Sequence, residues 1–210
     1  MKSFQISTMP NLINIFLKLN IILFSLYVIN TPATIENDID YQIESESFTI
    51  PGHGVLTLDV PRVWNYNFTI KGSNEPPIIT FYNLNKDKDK EEIYQLNLSV
   101  LWEDGFKRNI SSPEYIQSLV EKTGRQALIN SDQTKLSLKK ITGQDGVGYL
   151  FNLSDSGVNT DEYQFLTQGA LAVGKLLLIF SLFSNDNESI LQEALLKIIM
   201  SAQHHHRKDV

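Results

Sequence analysis

Cysteine is absent from the 210 residues of this sequence. Without a thiol the chain can form no disulfide, no thiolate metal site and no cysteine nucleophile. It also offers no N-terminal cysteine that could carry a lipid after processing, so we expect no lipid anchor. The folded part must therefore be held together by a hydrophobic core, which a chain of this length can build without covalent staples.

Basic side chains are scarce relative to acidic ones, with 18 Lys and Arg against 24 Asp and Glu and a net charge of −6. Lys2 and Lys18 both lie in the N-terminal 33 residues, which hold no acidic residue, so residues 34–210 alone carry a charge of −8. Nucleic acids and anionic membrane surfaces are bound through clusters of Lys and Arg. The sequence therefore predicts neither of them as a partner.

The N-terminal apolar block is short, because it covers only residues 21–29. A membrane-spanning helix needs about 20 apolar residues. Lys2 and Lys18 precede the block and small residues follow it up to Ala33, which is the pattern of a signal peptide. We interpret residues 1–33 as a cleaved signal peptide and expect an extracytoplasmic protein, in the periplasm or secreted. The alternative is an uncleaved leader that anchors the domain in the membrane.

A second apolar run, residues 176–183, organises the rest of the chain. Gly174 precedes it and Asn185-Asp186-Asn187 follows it, so it is bounded by turns. It carries apolar side chains at both parities, as a strand covered on both faces requires. We predict that Leu176, Leu178, Phe180 and Leu182 face one side of this strand and that Leu177, Ile179 and Phe183 face the other.

The remaining elements form a regular order of strands and two helices. Ser112 as cap and Pro113 at the first helical position predict a helix that stops at Gly124. A second amphipathic helix is predicted over residues 188–202. Alternating apolar residues predict strands over residues 46–50, 55–60, 65–70, 78–82, 94–102, 136–141, 147–153 and two central strands joined near Gly174. This order predicts an α+β fold, a mainly antiparallel β-sheet with a helix on each face.

The domain organisation follows from the same pass along the chain. Residues 34–45 are acidic and polar, and we predict a disordered lead-in there. Residues 46–202 are predicted to form a single domain. Residues 203–210 are predicted to be a polar, frayed tail.

Several short motifs resemble, in order and spacing, those of the PsbP-like family, named for an extrinsic subunit of photosystem II. They are Leu56-Thr-Leu-Asp-Val-Pro-Arg-Val-Trp64, Asn97-Leu-Ser-Val100, Ser112-Pro-Glu-Tyr-Ile116, Gly148-Tyr-Leu-Phe151 and Gly174-Lys-Leu-Leu-Leu-Ile-Phe180. The resemblance implies an α/β/α sandwich, an extracytoplasmic location and a protein that binds or braces other proteins without catalysis. The basic, proline-rich docking segment and the metal-binding His and Asp of the family have no match here, so no role in oxygen evolution is expected.

Few residues suggest chemistry. His204-His205-His206 is the only histidine cluster, and we interpret it as a solvated tail rather than a metal site. His53 stands between two glycines and is interpreted as a turn residue. Glu103 and Asp104 lack the framework of a calcium loop. Gly146 and Gly148 lie between strands with no helix to follow, so we expect a bulge or close packing there rather than a phosphate loop.

No catalytic, cofactor-binding or metal-ligating residue is therefore assigned from the sequence, and no cofactor is expected. The function predicted is that of an exported, non-enzymatic module that binds a protein partner of unknown identity. The alternatives are a carrier of a small ligand or metal, and a metal-dependent hydrolase. A base within reach of a substrate distinguishes the hydrolase from the binding module.

Overall fold

The computed structural model describes the chain in segments, and the residues between them are outside this description. The described residues are 42–62, 64–70, 72, 75–82, 94–103, 109–157, 163–185 and 189–206, the first three of the last segment by their backbone only. The predicted signal peptide lies outside them. Within the described residues no helix is long and apolar enough to cross a membrane.

Ten strands, two α-helices and one 3₁₀ turn make up the described fold. The strands are β1 (Ile43–Ile50), β2 (Gly54–Pro61), β3 (Asn65–Thr69), β4 (Ile78–Tyr82), β5 (Tyr94–Trp102), β6 (Lys139–Thr142), β7 (Val147–Ser154), β8 (Phe165–Val173), β9 (Leu176–Ser184) and β10 (Gln203–His205). The helices are α1 (Pro113–Ala127) and α2 (Ser189–Met200), and the 3₁₀ turn is Leu128–Asn130.

Two antiparallel sheets hold these strands. Seven strands form the larger sheet in the order β3-β4-β5-β9-β8-β7-β6, and three form the smaller sheet in the order β1-β2-β10. Each pairing is antiparallel, and most neighbours along the chain form hairpins. The α+β class predicted from the sequence, with a mainly antiparallel sheet and helices on both faces, is confirmed.

The central strand is β9, which pairs with β5 on one side and with β8 on the other. Leu176, Leu178, Phe180 and Leu182 belong to the core shared with the small sheet and α2. Leu177 and Ile179 belong to a second core under α1. The predicted two-faced burial is confirmed, although Phe183 is only half-buried and packs near the ring of Tyr163, 5.8 Å away between ring centres.

Helix α1 begins as predicted. The hydroxyl oxygen of Ser112 accepts a hydrogen bond from the Tyr115 amide at 3.2 Å, and Pro113 occupies the first turn. The predicted stop at Gly124 is wrong, because the helix continues to Ala127. A Cβ at Gly124 would lie 2.7–2.9 Å from carbons of Leu136 and Phe151. This glycine allows the helix to approach its neighbours closely rather than ending it.

Helix α2 covers the opposite face of the large sheet, with Leu195, Ile198 and Ile199 buried. The chain leaves it through Ser201, whose hydroxyl donates to the Ile198 carbonyl at 2.7 Å and accepts from the Asp59 amide at 2.9 Å. The hydroxyl thereby links the end of α2 to strand β2. The predicted helix over residues 188–202 is therefore two residues too long at its C-terminal end.

Three further predicted boundaries are wrong. The lead-in was predicted to extend to residue 45, but β1 begins at Ile43, which pairs with Pro61. The strand predicted over residues 136–141 covers only Lys139–Thr142, because Leu136 and Leu138 pack against the core under α1 instead. The frayed tail predicted from residue 203 onwards also begins too early, because its first residues are ordered.

The tail is a strand at its beginning. Gln203–His205 form β10 and pair with residues Thr57, Leu56 and Val55 of β2. The residues after His206 are outside the described part of the chain. The strand forms because the edge of β2 offers backbone partners, which the polar sequence of the tail does not reveal.

Candidate functional site

Histidines that are far apart in the sequence meet at one end of the molecule. His53 lies in the turn between β1 and β2, as predicted, and its amide donates to the Ile50 carbonyl at 2.9 Å. Its ring stacks on Trp102 at the end of β5, with ring centres 4.3 Å apart. His204 of β10 contacts the backbone of the same turn. His53, Trp102 and His204 form what we call the histidine cluster.

Both ring nitrogens of His204 are occupied. Nδ1 accepts a hydrogen bond from the Lys175 amide at 3.2 Å, and Nε2 lies 2.6 Å from the carbonyl oxygen of His53. An amide can only donate and a carbonyl can only accept, so the ring is neutral with its proton on Nε2. His204 therefore fastens the last strand to two turns, the one at His53 and the one at Lys175.

Asp145 and Gly174 complete this attachment. The Asp145 carboxylate accepts from the His204 amide at 3.3 Å. Gly174 has a φ of +55°, and a Cβ there would lie 3.0–3.1 Å from Asp145 and His204. A left-handed backbone position pressed against two side chains favours glycine on both counts. The cluster is thus a tightly packed structural contact.

The described residues contain no group of three or more His, Cys, Asp or Glu side chains placed to hold a metal ion. The rings of His204 and His206 lie 5.9 Å apart between centres, and His205 and His206 are both exposed. A metal at His204 would have to displace the amide of Lys175 or the carbonyl of His53. The cluster as folded fits a fastening role better than a ligand set.

The glycines and the acidic pair singled out in the sequence are not part of the histidine cluster. A Cβ at Gly146 or at Gly148 would fall on the carbonyl oxygens of Ala172 and Ala170 in β8, so the predicted close packing is confirmed. Asp104, the second residue of the possible calcium pair, lies outside the described residues.

A row of polar side chains crosses the centre of the large sheet. Thr80, Asn97, Ser181 and Gln168 lie opposite one another on β4, β5, β9 and β8. Thr80 donates to Asn97 Oδ1 at 2.9 Å, and Gln168 Nε2 donates to Ser181 Oγ at 2.9 Å. The row faces the same side as α1, because it shares the parity of Ile179.

Two atoms of this row lack hydrogen-bond partners within the described structure, Asn97 Nδ2 and Gln168 Oε1. Each such buried atom costs about 1–3 kcal/mol. Asn97 is 4% exposed and Gln168 is fully buried. Both atoms are shielded from solvent, so the row is a feature of the core rather than an accessible pocket.

The two edges of the large sheet differ in chemistry. The β6 edge reads Lys-Lys-Ile-Thr, and both lysines are exposed. The β3 edge reads Asn-Tyr-Asn-Phe-Thr, and it carries no charge, no proline and no bulge, since its five residues pair with β4 in unbroken register. Natural sheets block exposed edges with these devices. Among the described strands none lies outside β3.

The surface beside β3 is partly aromatic. Phe48 of β1 packs edge-on against Tyr66 and Phe68, with ring centres 5.2 and 5.4 Å apart. Tyr66 remains 39% exposed, and Ile70, which follows the strand, 45%. We call the outer side of β3 with Tyr66 and Ile70 the β3 edge surface.

A carboxylate lies within this surface. Tyr66 donates its hydroxyl proton to Glu46 Oε2 at 2.9 Å. This hydrogen bond raises the pKa of Tyr66 above its ordinary value, and partial burial and the negative charge of Glu46 act in the same direction. Glu44 on the same strand pairs with Arg62 at 3.1 Å.

Comparisons with known proteins add little beyond the fold. No protein-family model matches the chain, and no curated protein matches its sequence. The chain is similar to the solution structure of cyanobacterial PsbP from Synechocystis sp. PCC 6803. The match has 14% sequence identity and a TM-score of 0.49, and it covers 82% of this chain and 98% of that one.

That protein belongs to the family whose motifs this sequence resembles. A likeness at this identity and TM-score carries nothing about activity, ligand or partner. What this chain does must therefore be inferred from its own surface.

Sequence reasoning missed both the histidine cluster and the open edge. His53 and His204 are 151 positions apart, so no local pattern connects them. The strand over residues 65–70 was predicted, but its place at the edge depends on the order of seven strands. The one signal in the sequence that could have indicated the open edge was the absence of charge in residues 65–69, compared with the two lysines at 139 and 140.

Proposed function

We propose that this protein is an exported, non-enzymatic module that binds a protein partner by adding an extended segment of the partner to the β3 edge. The observation that carries the proposal is the contrast between the uncharged β3 edge and the lysine-bearing β6 edge.

An edge strand presents a row of backbone N–H and C=O groups, because every second residue of an antiparallel edge points its backbone groups away from the sheet. Such a row pairs with any extended chain of suitable sequence. A sheet that protects one edge with charge and leaves the other uncharged is suited to strand addition at the second edge, which is a common mode of peptide recognition.

The histidine cluster supports the non-enzymatic part of the proposal. A general base needs a free lone pair within hydrogen-bond reach of the proton that it removes. The neutral ring of His204 uses its lone pair on Lys175 and its proton on His53. A hydrolase at this site would first have to release the last strand.

Export is supported by the N-terminal pattern alone, that is, by Lys2, Lys18, the apolar block at residues 21–29 and the small residues up to Ala33. N-terminal sequencing of the native protein tests this part separately. A mature chain that begins at Thr34 agrees with the proposal, and a cytosolic chain that begins at Met1 contradicts it.

Site-specific photo-cross-linking tests the binding surface. A photoreactive amino acid replaces Asn67, which is exposed in the middle of β3, and in a matched variant it replaces Asn152, which is exposed on β7 near the opposite side of the sheet. We expect an adduct with one discrete protein from cells carrying the Asn67 variant, and none from cells carrying the Asn152 variant.

Equal adducts from both positions, or an adduct from Asn152 alone, contradict the proposal. The enzymatic alternative is tested on the same purified domain. Substrate turnover that disappears in a His204→Ala variant, while no cross-link forms at Asn67, supports the hydrolase instead.

A further inference from the structure

The β3 edge presents different chemistry above and below the sheet. Tyr66 and Phe68 lie opposite Phe81 and Ile79 of β4, on the side of the core that the small sheet covers. The remaining residues of β3 have the other parity, and they are Asn65, Asn67 and Thr69. One side of the edge is therefore aromatic, and the other carries amides and a hydroxyl.

A strand added outside β3 must match this division. Its side chains alternate between the two sides, and those directly across from β3 lie about 4.5–5.5 Å away between Cβ atoms. Side chains next to Tyr66 and Phe68 meet aromatic rings, and those next to Asn65 and Asn67 meet amides. The matching segment alternates between apolar and polar residues.

Among the described residues, the charges around the edge favour a basic segment. Glu46 lies in contact with Tyr66, and Glu75 is exposed just before β4. Arg62 is engaged by Glu44, at 3.1 Å. The chain as a whole carries a net charge of −6. A second copy of this chain would bring a second set of the same carboxylates to the edge, so pairing of β3 with itself is opposed by charge.

We propose that the occupant of the β3 edge is an extended segment of another protein, alternating apolar and polar, that carries a lysine or arginine within reach of Glu46. This inference rests on the proposed function, because it describes the partner that strand addition at β3 would select. Apolar residues of the segment cover the exposed parts of Tyr66 and Phe68, and its basic residue meets the oxygen of Glu46 that Tyr66 does not occupy.

Synthetic peptides of about seven residues test this inference. The first alternates valine and threonine and has a lysine at each end. The second has the same composition with the valines grouped together, and the third has glutamate in place of lysine. Fluorescence anisotropy measures the dissociation constant of each peptide for the wild-type domain and for its Glu46→Gln, Asn67→Lys and Asn152→Lys variants.

We expect the basic alternating peptide to bind most tightly to the wild-type domain. Glu46→Gln should weaken its binding about two- to fivefold and reduce its dependence on salt, as an exposed ion pair allows. Asn67→Lys should weaken it further, whereas Asn152→Lys should leave it unchanged. Measuring the dissociation constant of the basic peptide for the wild-type domain at increasing salt concentrations tests the contribution of charge without any variant.

Equal binding of the acidic peptide, or of the peptide with grouped valines, overturns the inference. If a partner cross-links at Asn67 while no peptide shows these preferences, strand addition stands and the stated chemistry of the segment is wrong. If neither the cross-link nor any peptide binding is found, the proposed function itself is wrong.

Discussion

The two edges of the seven-stranded sheet have opposite chemistry. At β6, Lys139 and Lys140 place positive charge on a strand of four residues. At β3, the five residues carry no charge and include Tyr66, which is 39% exposed. A lysine that faces an incoming strand must be desolvated, so β6 resists pairing. The same sheet thus has one edge that charge protects from pairing and one edge that lacks this protection. The need to stay soluble therefore does not by itself explain why β3 carries no charge.

The largest expected effect concerns the core that holds both edges in one sheet. Leu195 of α2 is fully buried, and Leu195→Ala should lower the free energy of unfolding by about 2–5 kcal/mol. Chemical denaturation with far-UV circular dichroism measures the loss. The matched control is Ile129→Ala, because Ile129 is 80% exposed and its truncation should cost less than about 0.5 kcal/mol.

Equal losses in the two variants would show that α2 is not docked on the sheet. The two edges would then lack the common support on which their comparison depends.

The second prediction concerns a variant that lacks the two lysines of the β6 edge. Lys139→Thr/Lys140→Thr should leave the free energy of unfolding within about 0.5 kcal/mol, because both side chains are exposed. It should nevertheless make the purified domain self-associate, since two uncharged edges can now pair. Sedimentation velocity over a concentration series measures the association, with Lys175→Thr as a control for the loss of a lysine outside the edges. A monomeric double variant contradicts the role given to these lysines.

The smallest effect concerns Tyr66 and the carboxylate beside it. Its raised pKa means that the folded state holds the hydroxyl proton more tightly than the unfolded chain does. The stabilisation is fully present below the ordinary tyrosine pKa of about 10 and is lost as pH rises through the raised value. Because Tyr66 is partly exposed, the contribution should be only a few tenths of a kcal/mol.

Denaturation of the wild-type domain and of Tyr66→Phe at pH 8 and at strongly alkaline pH checks this sign. The wild type should exceed the variant at pH 8, and the advantage should vanish at alkaline pH. An advantage that grows with pH contradicts the described hydrogen bond. Glu46→Gln removes the charge beside the hydroxyl. In that background, the difference in unfolding free energy between Tyr66 and Tyr66→Phe at pH 8 should be smaller.

Much of the fold could be predicted because the signals are local. The run at residues 176–183 is apolar at both parities, and Ser112-Pro113 marks a helix start, so the central strand and α1 follow from a few neighbouring residues. The fold class then follows from the order of elements.

The rest depends on contacts between distant residues. The tail becomes β10 because the edge of β2 offers backbone partners and the His204 ring bonds to Lys175 and His53, which no pattern within the tail shows. Asn97 has the polar parity of its strand, yet it is only 4% exposed, and the register that places it beside Ser181 is not visible in the sequence. The open edge is a property of sheet order, which local periodicity does not contain.

Backbone hydrogen exchange compares the two edges most directly. The partner that cross-links at Asn67 is purified, and exchange of the β3 and β6 amides is followed by mass spectrometry in the free domain and in the complex. Strand addition predicts slower exchange in β3, where outward-facing amides gain hydrogen bonds, and unchanged exchange in β6. Unchanged exchange in β3, or slowing at β6 instead, would contradict the claim that β3 is the binding edge.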